Sequence, residues 1–189
     1  MARLTSEKIE KDAVEIGASM MAVSARTAPK TRGIDSVKTM ILTGKDLEEL
    51  ASAMEMKVKE KSIELPSYKR DADNVRGSTA VLLIGVSRDP KRVELPLNCG
   101  ACGYKNCKGF LSGGKREGED FIGPVCIFQA IDLGIALGSA VKLAGELNMD
   151  NRIMYTIGAA ARKMNLLDSD VIIGIPLSVM GKNPYFDRP

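Results

Sequence analysis

Histidine and tryptophan are both absent from this chain, and aromatic residues of every kind make up only 4% of it. Without an imidazole the commonest general base and zinc ligand is missing. This excludes histidine-dependent catalytic arrangements, histidine-ligated Rieske centres and His-bearing deaminase sites. Neither Gly-x-Gly-x-x-Gly nor Gly-x4-Gly-Lys-[Ser/Thr] occurs, so the common phosphate-cradling loops are missing too. Charge of one sign is scarce: 27 Lys and Arg stand against 24 Asp and Glu, a net +3 over 189 residues. That balance gives no footprint of a nucleic-acid or membrane-surface protein. Long apolar runs are lacking, because Asp132 and Lys142 interrupt the most apolar region, which argues against a membrane-spanning helix. Hydrolysis by Asp or Glu stays open, but no carboxylate pair stands out.

The chain also lacks a Pro/Ser-rich linker and any low-complexity run, and with 44% hydrophobic residues it predicts one domain over 1–189. Met1-Ala2-Arg3-Leu4-Thr5-Ser6-Glu7-Lys8 opens directly into a charged amphipathic pattern, without the apolar core or cleavage site of a signal peptide. The expected location is the cytoplasm. In that reducing compartment, clustered cysteines are expected to be metal ligands or redox groups rather than a disulfide framework.

What is present reads as alternating helices and strands. Thr5 or Ser6 caps a helix reaching about Ala25, with Ile9, Ala13, Ile16, Met20 and Ser24 along one face, and Pro29 and Gly33 end it. Val37 to Leu42 predicts a strand, and Asp46 to about Lys59 a helix that buries Leu47, Leu50, Ala51 and Met54. Thr79 to Val86 is a continuous apolar run, expected of a central strand buried on both faces. From Pro90 to Gly123 the pattern dissolves into Gly, Lys and Cys, an irregular insertion. Pro124 then suits the first turn of a long helix reaching about Leu147, which would put Cys126 in that turn. Ala130, Gly134 and Gly138 form a small-residue stripe on this helix, read as dense packing, with a dimer seam as the rival. Ile153 to Ile157, Ala159 to Asn165 and Val171 to Leu177 read as strand, helix and strand.

The chain has only four cysteines, and all lie between 99 and 126: Cys99, Cys102, Cys107 and Cys126, spaced C-x2-C-x4-C-x18-C. Short loops limit the entropy lost in gathering such ligands, and four thiolates suit a cubane cluster with one thiolate on each iron. Gly100 and Gly103 would leave backbone N–H groups free to approach the sulfurs. A helix N-terminus at Cys126 would favour its thiolate. Plain core packing fits poorly, since all four fall in the most polar, glycine-rich part of the chain. A four-thiolate zinc site is the stronger rival, although zinc ribbons usually repeat a close pair. Spacing alone does not separate [4Fe–4S] from [2Fe–2S].

The stretch Asn98-Cys99-Gly100-Ala101-Cys102-Gly103-Tyr104-Lys105-Asn106-Cys107-Lys108-Gly109-Phe110, completed by Gly123-Pro124-Val125-Cys126, resembles the four-cysteine 4Fe-4S domain of the corrinoid iron–sulfur protein and of electron-transport complex subunits. All four ligand positions match. The remainder resembles an uncharacterised bacterial and archaeal family of ferredoxin-domain proteins, through Ala28 to Asp35, Asp132 to Ala140, Asp150 to Tyr155 and Gly174 to Ser178 with Gly181-Lys182-Asn183. The order of elements is also similar to the flavin-binding nitroreductase fold. In that fold family an arginine-rich segment ahead of the first helix helps hold the FMN phosphate. Here Met1 to Ser6 precede the helix, so FMN is implied only weakly, with Arg26, Lys30, Arg32 and Lys182 as candidate anion contacts.

Between Arg88 and Arg116 the seven basic residues Arg88, Lys91, Arg92, Lys105, Lys108, Lys115 and Arg116 stand against two acidic ones, Asp89 and Glu94. Positive charge there would favour the reduced state of a cluster and attract an acidic redox partner protein. The combined reading is an α+β protein: a nitroreductase-like layered α/β body with an irregular iron–sulfur insertion at 90–126. It binds one [4Fe–4S] cluster on Cys99, Cys102, Cys107 and Cys126 and works in electron transfer, with a homodimer as a possible assembly. The competing readings are a flavin-dependent oxidoreductase fed by the cluster, and a non-catalytic module whose cluster or zinc is structural or sensing.

Overall fold

The computed structural model describes residues 3–61 and 65–186. Its first helix, α1 (Ser6–Thr27), starts where Thr5 accepts a hydrogen bond from the Lys8 N–H (3.4 Å). A single 3-10 turn, Thr31–Gly33, leads into β1 (Lys38–Thr43), α2 (Lys45–Val58), α3 (Ser67–Arg76) and β2 (Ala80–Val86). The cysteine-bearing segment follows, with α4 (Cys107–Ser112) and the two-residue strands β3 (Arg116–Glu117) and β4 (Ile122–Gly123). The chain closes through α5 (Ile127–Glu146), β5 (Asp150–Asn151), α6 (Tyr155–Lys163) and β6 (Val171–Ser178).

The main sheet runs β1-β2-β6-β5 and every pairing is antiparallel. β2 is buried along its whole length because both faces are covered. Ala80, Leu82, Ile84 and Val86 point into the core shared with α1 and α5. Val81 and Leu83 point into the core shared with α2, α3 and α6. The result is three layers, helix on sheet on helix, as period-2 alternation in a doubly covered strand requires. On the second face, α6 lies so close to β6 that a Cβ on Gly158 would stand 1.7 Å from the Ile172 carbonyl oxygen.

Several elements differ from the sequence expectation. The stripe Ile9, Ala13, Ile16, Met20 and Ser24 is not the buried side of α1: Val14, Gly17, Ala18, Met21 and Ala25 are. Only the last member of the expected stripe, Ser24, reaches α5, where its hydroxyl meets that of Ser139 at 2.8 Å; the close contact there favours small residues over Ile. α3 has no counterpart in the reading, although Tyr68, Ala72 and Val75 follow its helical period and are buried. Ile153 to Ile157 is not a strand. Met154 makes one bridge to Gly174, and α6 begins at the next residue.

α5 is long and apolar enough to cross a membrane by length and composition. In the fold it packs on α1 and carries a buried ion pair through Asp132. Its Ala130, Gly134 and Gly138 face outward, and a Cβ on either glycine would meet nothing within 4 Å. The small-residue stripe therefore does not serve packing within the chain.

Candidate metal centre

The segment between β2 and α5 is held to the body by buried charge. Arg88 stands two residues past the end of β2, with its side chain 2% exposed. Its guanidinium donates to the carbonyls of Gly123 (3.2 Å) and Gly114 and to the Asp89 carboxylate (3.1 Å), and lies 4.4 Å from the Phe110 ring centre. Its backbone N–H donates to Asp170 (2.9 Å), and its carbonyl accepts from the Cys126 N–H (2.8 Å). One residue thus joins both ends of the segment, its internal helix and the start of β6.

Lys91 supplies a second anchor. Its ammonium, 2% exposed, donates to Asp132 (2.7 Å), the Ser36 hydroxyl (2.9 Å) and the Ile34 carbonyl (3.1 Å), which uses all three of its protons. Asp132 is fully buried and also accepts from the Thr31 N–H (3.0 Å) and hydroxyl (2.8 Å). Burial pushes the Asp132 carboxyl up, but Lys91 and Thr31 more than reverse this and hold it below its usual value. A third anchor sits at the far edge, where Asp120 meets Lys57 (3.2 Å) and Lys61 beside α2.

Within this frame Cys99, Cys107 and Cys126 line one small cavity, together with Arg32, Lys91 and Phe128. Cys102 is half-buried on the neighbouring turn and does not line it. Gly100 and Gly103 have φ of 76° and 82°, the left-handed region where a side chain is strained. The Gly103 N–H donates to the Gly100 carbonyl (2.9 Å), so it closes the turn rather than standing free for a sulfur. Asn98 accepts from the Cys107 N–H (2.9 Å), and Asn106 caps α4 through the Gly109 N–H (2.8 Å).

Cys126 is the N-cap of α5 rather than part of its first turn, and Pro124 lies ahead of the helix. Burial pushes the Cys126 thiol up, and the N–H groups of Phe128 and Gln129 lower it by less. The expected thiolate-favouring effect of the helix start is therefore present but outweighed. Among the described residues, no three Cys, Asp or Glu side chains stand close enough to hold a metal ion as they are. The donor chemistry nevertheless fits a thiolate-bound group, since three soft ligands converge on one cavity.

The basic surroundings divide in two. Arg88 and Lys91 are internal anchors, while Arg92, Lys105, Lys108, Lys115 and Arg116 are exposed. The candidate anion contacts of the body are engaged too. Lys30 donates to the Ala28 carbonyl (2.8 Å), Arg26 to the Val37 carbonyl (2.8 Å), and Arg32 to the Leu95 carbonyl. Lys182 is exposed.

By fold, the molecule is a nitroreductase-like α+β protein. It superposes on an oxidoreductase containing FMN with TM-score 0.54 and 13% identity, covering 96% of this chain and 70% of that one. It also superposes on nitroreductase A from Vibrio parahaemolyticus with TM-score 0.54 and 10% identity, covering 100% of this chain and 64% of that one. At such identities the likeness is one of fold. The chain belongs to the family described as "Uncharacterized protein containing a ferredoxin domain (DUF2148)", whose model matches residues 122–188. An uncharacterized protein from Archaeoglobus fulgidus is 45% identical over 185 residues, 98% of this chain and 97% of the relative. The family's ferredoxin domain implies iron–sulfur binding, and of the four cysteines Cys126 falls within the matched residues.

Replacing Asp132 by Ala would leave Lys91 buried without its counter-ion, a change expected to cost about 3–5 kcal/mol in urea denaturation at neutral pH. Because the folded pKa of Asp132 is lowered, its contribution is complete above the unfolded carboxylate range. It is lost as pH falls through the folded value. The gap between wild type and variant should therefore shrink in acid. A loss below about 1 kcal/mol, the range of an exposed pair, would contradict this account.

Proposed function

We propose that Cys99, Cys102, Cys107 and Cys126 hold one [4Fe–4S] cluster and that the protein works in one-electron transfer. The convergence of Cys99, Cys107 and Cys126 on one cavity carries this reading, with Cys102 brought in from the adjacent turn. A bound cluster supplies a one-electron redox centre. The chain's own residues do the rest. Arg32 places positive charge at the cavity wall, the Lys91–Asp132 pair ties that wall to α5, Phe128 and Leu97 keep it apolar, and the Gly100–Gly103 turn sets the spacing of the first two thiols. Metal and acid-labile sulfide analysis of anaerobically purified protein should give about four iron and four sulfide per chain. Serine at each of the four cysteines should abolish the broad visible absorption. Retained iron and colour in the quadruple variant would refute the ligand set, and stoichiometric zinc without sulfide would replace the cluster by a zinc site.

Exposed Arg92, Lys105 and Lys108 lie on the segment that carries Cys99, which is itself exposed. This arrangement favours an acidic electron carrier as partner. The transfer rate to such a carrier should fall as ionic strength rises. A flat or rising dependence would count against it.

A second copy of the chain is the occupant best suited to the outer faces of α1 and α5. Ile9, Ile16, Met20 and Val23 on α1 and Ile127, Ile131 and Ile135 on α5 are exposed. The neighbouring outward glycines of α5 would let another backbone approach closely. Light scattering after gel filtration should report a dimer, and Ile131→Glu should shift it to monomer. A monomeric wild type at micromolar concentration would exclude this assembly.

A further inference from the structure

Arg32 stands apart in its backbone. It has φ 59° and ψ 17°, the left-handed region, inside the single 3-10 turn after α1. The other non-glycine residues with positive φ among the described residues are Asn98, Asn148 and Asn165, and asparagine tolerates that region far better than arginine does. The conformation is imposed from both sides. Thr31 gives its N–H (3.0 Å) and hydroxyl (2.8 Å) to buried Asp132, the Gly33 N–H donates to the Lys30 carbonyl (3.0 Å), and Lys91 holds the Ile34 carbonyl (3.1 Å). Glycine would sit here without strain, so the presence of arginine is explained by what its side chain does.

That side chain crosses from the body to the cysteine-bearing segment. Its guanidinium donates to the Leu95 carbonyl and lines the cavity of Cys99, Cys107 and Cys126. Two other cations line the same cavity, and each is matched by a carboxylate: Lys91 by Asp132 (2.7 Å) and Arg92 by Glu94 (3.1 Å). The hydrogen bond of Arg32 goes to a neutral carbonyl, and among the described residues it forms no ion pair. Glu94 feels its charge, but that carboxylate is 75% exposed and already taken by Arg92.

We infer that Arg32 sets the reduction potential of the centre held by the four cysteines, its unmatched charge stabilising the reduced state. The centre is the [4Fe–4S] cluster proposed above, on which this assignment rests. Reduction adds one electron and one negative charge to such a centre, with no bond made or broken, and a fixed cation at the cavity wall favours that state over the oxidised one. Lys91 contributes less, because Asp132 beside it carries the opposite charge.

Potentiometric titration of the anaerobically purified full chain with dithionite as electron donor, followed by visible absorption and by the paramagnetic resonance of the reduced form, tests it. Arg32→Gln should weaken reduction about tenfold, a midpoint potential about 59 mV lower. Arg32→Gly also relieves the left-handed strain, so it should lower the potential to a similar extent without lowering the urea midpoint. Arg32→Lys keeps the charge and should stay nearer wild type. Lys105→Gln removes an exposed charge that does not line the cavity and should change the reduction equilibrium by less than about twofold. A wild-type chain without iron and sulfide ends the cluster reading and this assignment with it. With the cluster present, a wild-type potential in the neutral Arg32 variants, or an equal shift in Lys105→Gln, overturns this assignment alone. If one neutral variant fails to load, the other decides. Loss of iron from both makes Arg32 a support of the cysteine segment and overturns its role in the potential.

Discussion

The cysteine-bearing segment depends on one buried guanidinium. Between Ser87 and Cys126 the buried apolar residues are Phe110 and Cys126, so hydrophobic area cannot hold this segment in place. Arg88 does so instead, reaching the carbonyls of Gly114 and Gly123 while its own carbonyl receives the Cys126 N–H. An isolated buried cation would be costly. Here the carbonyl dipoles, the Asp89 carboxylate and the face of Phe110 offset that cost, and arginine's planar fork serves several acceptors at once. Because Arg88 stands only two residues past β2 and its N–H is held by Asp170 ahead of β6, its position is inherited from the centre of the sheet.

This dependence explains which parts of the molecule were legible in the sequence. The four cysteines stood out because their spacing is local, and the helix with Leu47, Leu50, Ala51 and Met54 inward follows from period alone. Arg88 and Lys91 looked like part of a solvated basic patch, since Lys and Arg are almost never fully buried unless paired. Their partners are remote: Asp170 lies 82 positions beyond Arg88, and Asp132 sits in the largely apolar first half of α5. A lone Asp in such a helix was the available signal for an internal counter-charge.

The inverted face of α1 follows a related logic. Its large aliphatic residues gave the stronger apolar stripe, yet the α1–α5 contact took the stripe of Gly17, Ala18 and Ala25. Close helix contact selects small side chains, and a Cβ on Gly17 would stand 2.5 Å from Met149 Sδ. A helix with two apolar sides shows its period plainly, but the period alone does not say which side meets the sheet. The side left over, together with the outward stripe of α5, is the apolar surface assigned above to a second copy.

Lys91 and Asp132 bear on the site in a different way from Arg88. A buried ion pair is weak evidence for stability, since apolar residues of similar volume often do as well in its place. Its effect here is positional. Asp132 lies on the same helix that Cys126 caps, and Lys91 lines the cavity that Cys126 faces. Through Thr31 and Ser36 the pair also fixes the turn after α1 and the approach to β1. Ser36 in turn donates to Gln129, whose amide donates to the Asp89 carbonyl (2.7 Å), returning the network to the residue beside Arg88. The cysteine cavity is therefore built on the body's central helix. A change in the register of α5 would displace Cys126 and the Lys91 charge together, which ties the geometry of the candidate metal centre to the packing of the core.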